Sequence, residues 1–150
     1  MNTEQLDVFE GITQKAREWV DELAAELGRP GDRTYALRVL RSFLHVLRDR
    51  LPVAEAAHLA AQLPELLRGI YYEGWRPSDT PLPYHDLETF LERIAVAGRL
   101  AGDTEAAYAG EAAAGVLTRH VGTHEVAKIC RVLPRDIADF LIPSTPVRPG

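Results

Sequence analysis

The sequence predicts an all-α protein, a helical bundle of two pseudo-symmetric three-helix repeats in which the last helix of each is broken at a Leu-Pro step. Two observations lead there: the second half of the chain repeats the first at an offset of seventy residues, and apolar residues recur at three- and four-residue spacing. Laid without a gap, residues 34–70 match residues 104–140 at Thr34/Thr104, Ala36/Ala106, Val46/Val116, Leu47/Leu117, Glu55/Glu125, Ala57/Ala127, Leu63/Leu133 and Pro64/Pro134. The apolar register also agrees, with Leu51 over Val121, Leu59 over Ile129, Leu67 over Ile137 and Ile70 over Phe140.

Each element has a local reason. Thr3 or Asn2 can cap a first helix whose Phe9, Ile12, Ala16, Trp19, Val20, Leu23 and Leu27 form one apolar stripe, and Gly28 with Pro30 stops it. Asp32 offers the cap of a second helix reaching about Arg50, with Ala36, Val39, Leu40, Phe43, Val46 and Leu47 inward. Pro52 opens a third helix as a first-turn proline. That helix cannot run through Pro64, which lacks an amide hydrogen and clashes with the carbonyl four residues back at a cost of about 3 kcal/mol. A short helix from Pro64 to about Tyr72 follows, and Pro134 repeats the break. The three prolines of residues 74–85 mark an extended linker. Asp86 caps the next helix, which Gly98 or Gly102 ends, and the proline-containing tail, residues 143–150, is expected to be extended. Repeat one thus covers about 3–73, the linker about 74–85 and repeat two about 86–142, within one helical domain of 1–150. Leu40, Phe43 and Leu44 become Gly110, Ala113 and Ala114 in the second copy, so another backbone, a neighbouring helix or a second subunit, can approach there.

With 46% apolar and 26% charged residues in 150, the chain can bury one core and is not a disordered composition. A net charge of -5 argues against nucleic acid, which is bound by a basic face. No leader pattern and no run of about 18 apolar residues is present, so the expectation is a cytoplasmic protein with no membrane partner. The single cysteine, Cys130, excludes an internal disulfide and a multi-cysteine metal site.

Four clusters carry functional interest. Glu55 and His58 have the Glu-x-x-His spacing of di-iron and di-manganese centres, but the second copy reads Glu125 and Lys128, and a first-turn glutamate beside a surface histidine explains the pair better. His120 and His124 stand four apart as in a zinc pair, with Gly122 and Thr123 between them reading as a turn and cap, so a shared helix is not expected. Arg38, Arg41, His45 and Arg48 line one face of the second helix; they can meet an anionic partner or pair internally with Glu18, Asp21, Glu22 and Glu26 of the first helix. Tyr71, Tyr72 and Trp75 form the densest aromatic cluster, suited to an interface, a pocket wall or a plug sealing the seam between the copies.

The run from Phe43 through Leu-Arg-Asp-Arg-Leu (residues 47–51) to Pro52, and that from Ala56 through Leu63-Pro64 to Tyr71-Tyr72-Glu73-Gly74-Trp75, resembles a bacterial family known as domain of unknown function 2267. The resemblance implies an all-helical cytosolic protein and brings no catalytic residues. No nucleophile motif, phosphate loop or carboxylate pair is present to point to an enzyme, and no cofactor is expected. The expectation is a non-enzymatic module that binds protein, a partner or itself, through Arg38, Arg41, Arg48, Tyr71, Tyr72 and Trp75. The alternative is a small-ligand or metal site at the seam between the repeats.

Overall fold

A computed structural model describes residues 3–142. The described residues form eight α-helices and no strand: α1 (Thr3–Glu26), α2 (Arg33–Arg50), α3 (Val53–Ala61), α4 (Glu65–Tyr72), α5 (Leu87–Gly98), α6 (Asp103–Val121), α7 (Thr123–Arg131) and α8 (Arg135–Leu141). The capping side chain expected at Thr3 or Asn2 and the tail 143–150 fall outside what is described.

The breaks lie where proline puts them. Pro64 and Pro134 each precede a new short helix, separating α3 from α4 and α7 from α8. Asp32 and Asp86 cap α2 and α5 by accepting from the backbone amides of Tyr35 and Thr89. Pro52 sits one residue earlier than expected, at the cap position of α3.

One local expectation needs correction. The linker is not wholly extended: Pro77–Asp79 makes a single 3-10 turn, and the segment is tied to the end of α2 by Leu82 N to Asp49 O at 2.8 Å and Arg50 Nε to Tyr84 O at 2.7 Å. Helix α5 ends at Gly98, as expected, and the left-handed residue that follows is Arg99, at φ 54 and ψ 46. Gly98 serves a different need, because a Cβ there would stand 2.9 Å from Ser42 Oγ. It lets α5 approach α2 closely.

Helix α2 lies at the centre, packed on α1, α4, α5 and α6, and its Ala36, Val39, Leu40, Phe43, Leu44 and Leu47 are fully buried. Helix α6 packs on α1, α2, α5, α7 and α8, with Ala106, Ala109, Gly110 and Ala113 inside. The Ala-rich face is therefore engaged by neighbouring helices of the same chain. Volume missing at Gly110 is filled from α8, where the Phe140 ring would stand 3.2 Å from an added Cβ. The buried apolar residues form one cluster drawn from both halves of the chain.

Candidate functional site

Helix α4 ends in carbonyls with no partner inside the helix, and the basic side chains of α2 close them. Arg48, only 3% exposed, donates from Nη1 to Tyr71 O at 2.7 Å and Glu73 O at 2.6 Å, and from Nε to Asp49 Oδ1 at 2.8 Å. His45 Nε2 donates to Ile70 O at 2.7 Å, and Arg41 Nε reaches Glu73 Oε1 at 3.1 Å. Burial holds the His45 imidazole below its ordinary value, outweighing the Ile70 bond that favours its charged form. Cations at a helix C-terminus also answer its dipole.

The same helix turns its aromatic residues inward. Tyr71 is fully buried and donates to Ala56 O at 2.8 Å, and burial pushes its phenol far above the ordinary value. Tyr72 is half-buried between Tyr71 (ring centroids 5.4 Å) and Trp75 (5.2 Å). Because α4 packs chiefly on α1, α2 and α3, this cluster lies within the first half of the bundle. The seam between the halves is closed elsewhere, by α2 against α5 and α6 and by α1 against α6.

At that seam a cleft of about 610 Å³ opens between α2 and α5. His45, Asp49 and Glu73 form one wall, Thr89, Glu92 and Arg93 the other, and Val96 stands 77% exposed at its edge. Arg48 holds Asp49, Arg41 holds Glu73, and the Arg93 guanidinium lies 5.2 Å from the Tyr84 ring centroid. The arrangement offers paired charges to a polar molecule, and the Thr89 hydroxyl in the wall donates to Asp86 at 2.8 Å.

The histidine candidates separate. Glu55 and His58 line a groove of about 280 Å³ between α3 and α7 together with Glu125 and Lys128. His120 ends α6, Gly122 turns the chain at φ 95, and His124 lies exposed in the first turn of α7. Among the described residues no three His, Cys, Asp or Glu side chains are placed to hold a metal ion.

Sequence reading missed a cluster joining α1 to α6. His120 stacks on the buried Trp19 at 4.6 Å and 21°, and its Nε2 lies 2.6 Å from Glu22. Arg119 donates to Glu22 at 2.6 Å and Glu26 at 2.8 Å, while Asp21 takes Arg33. Burial opposes ionisation of Glu22, but the bonds from Arg119 and His120 outweigh it and hold its carboxyl below the ordinary range. Asp21, Glu22 and Glu26 thus pair with Arg33, Arg119 and His120 rather than with Arg38, Arg41 and Arg48. Arg38 instead lies 5.3 Å from the Tyr35 ring centroid, and Tyr35 donates to Glu105 at 2.8 Å.

The first helix departs most from expectation. Trp19, Val20, Leu23 and Leu27 are buried, but Phe9, on the same stripe, is 68% exposed and Val8 61%. Ile12 is half-buried. The bundle covers only the C-terminal half of the stripe.

A model of an uncharacterized conserved protein family, DUF2267, matches residues 16–140, and the chain belongs to that family. No curated protein matches it.

Proposed function

We propose that this DUF2267 member is a non-enzymatic, cytoplasmic helical module of two related halves that binds protein through the N-terminal half of α1. The observation that carries the reading is Phe9, a large apolar side chain 68% exposed on a stripe whose other end is core. Apolar surface of this kind, continuous with a helix face, is how helices dock on partners. The groups resembling a polar site, Arg48, His45 and Tyr71, support it from the other side, because their polar atoms hold α4 in place. No helix among the described residues is long and apolar enough to cross a membrane.

The two-halves part rests on symmetry. Residues at equivalent positions of two copies touch only on the axis relating them, and Tyr35 bonds Glu105, seventy residues on. The equivalent pairs Glu55/Glu125 and His58/Lys128 line one groove in the same way. Affinity capture from the native host with the wild-type chain and with Phe9→Glu/Ile12→Glu tests the binding face. The reading expects protein bound by the wild type, its own chain included, and lost from the variant; identical captures would contradict it.

A second reading, a small polar ligand at the α2–α5 cleft, is favoured by the volume of about 610 Å³, within the usual size of a ligand site. Extra mass retained on the native chain and lost in Arg93→Glu would support it.

A further inference from the structure

We infer that the cleft between α2 and α5 takes a small zwitterion, a free α-amino acid with an apolar side chain. This rests on the second reading above, the cleft as a ligand site, and names the chemistry of its ligand. The two walls run antiparallel, since Gly98 of α5 packs on Ser42 of α2, while Arg50 at the end of α2 bonds Tyr84, just before α5 begins. Arg48 and Asp49 therefore meet Glu92 and Arg93 at one end of the cleft, and the later turn of α5 sets Val96 and Ala97 toward the other. Glu73 stands at that second end beside His45, where Arg41 already pairs with it.

Arg48 marks the charged end as a site. Its side chain lines the cleft although it is only 3% exposed. Nε and Nη1 are taken by Asp49 and by the carbonyls of Tyr71 and Glu73, and Nη2 makes no hydrogen bond among the described residues. A desolvated guanidinium gains most from an acceptor brought to its unused N–H groups. Asp49 likewise uses only Oδ1, and Glu92 and Arg93 form no ion pair among the described residues. Unused donors and unused acceptors thus stand together. An anion alone would be drawn by Arg48 and Arg93 and repelled by Asp49 and Glu92, and a cation alone would meet the reverse. A ligand carrying both charges satisfies both sets. Because the opposite charges lie on neighbouring residues of each wall, its own two charges must be close, as on one α-carbon and not as at the two ends of a peptide. Val96 and Ala97 then receive the apolar side chain.

The test is an amide NMR titration of the full chain with leucine, isoamylamine (leucine without its carboxylate), isocaproate (leucine without its ammonium) and leucyl-leucine. Each is taken to about 10 mM, which detects millimolar binding. Leucine should shift the amides of Thr89, Glu92 and Val96, and the other compounds should bind at least about tenfold more weakly, since each leaves a charged group of the site unanswered or out of reach. In Glu92→Gln leucine should bind no better than isocaproate, and in Arg93→Gln no better than isoamylamine. Both residues are exposed, so both variants should keep the circular dichroism of the wild type. A singly charged compound or leucyl-leucine binding as tightly as leucine, shifts that survive both substitutions, or no shift with any of the compounds overturns the inference. The cleft reading fails separately, if the native chain retains no added mass or retains it in Arg93→Glu.

Discussion

Arg48 and Arg41 stand two turns apart on α2 and do different work. Arg48 is buried with its guanidinium on Tyr71 O, Glu73 O and Asp49, so Arg48→Ala leaves two carbonyls and a carboxylate without their cation; urea unfolding should show a loss of about 3–5 kcal/mol, the usual cost of breaking a buried pair. Arg41 makes one exposed contact to Glu73, so Arg41→Ala should change stability by less than about 1 kcal/mol. The stripe was visible in the sequence but its acceptors were not, since they are main-chain oxygens of a helix end 23 to 25 residues away. Two of the residues that contribute to the acid response are His45 and Glu22. The folded pKa of His45 lies below its ordinary 6.5, so the unfolded chain binds that proton more readily and stability falls as pH drops below about 6.5. The folded pKa of Glu22 lies below its ordinary 4.5, so its contribution is complete above about 4.5 and is lost as pH falls through the folded value. Stability measured against pH should fall in both windows, and His45→Gln should remove the upper one alone.

At the scale of elements, the breaks at Pro64 and Pro134 and the caps at Asp32 and Asp86 were legible because each follows from one residue's own chemistry. The reach of the core over α1 was not, because periodicity shows which face is apolar and not how far the rest of the bundle extends to cover it. The small side chains of α6 were legible as a change of volume at an offset of seventy residues, where the sequence exchanges Leu40 for Gly110 and Ile70 for Phe140. Phe140 occupies the space that a side chain at 110 would need. Gly110→Leu should therefore cost about 1–3 kcal/mol by overpacking, and Phe140→Ile in the same chain should recover much of it. Equal losses with and without Phe140→Ile, read by thermal unfolding, would show that the exchange is not the reason for the glycine.

The whole molecule is a bundle in which α2 and α6 carry the core and α1 extends an apolar stripe beyond the part the bundle covers. The helices were legible from apolar periodicity, yet the polar contacts between them, Tyr35 with Glu105 and His120 with Glu22, depend on how distant parts of the chain are set against each other. No spacing within one segment encodes that. The same limit hid the α2–α5 cleft, whose walls come from residues 45–49, 73 and 89–97. The account turns on what covers Phe9, and native mass spectrometry of the full chain, purified without chelator and compared with Phe9→Glu/Ile12→Glu, asks that directly. A chain carrying a bound protein, a second copy included, and reduced to a single chain by the substitutions, is the expected result. A single chain carrying additional mass in both proteins would contradict the account and move the functional site to the cleft.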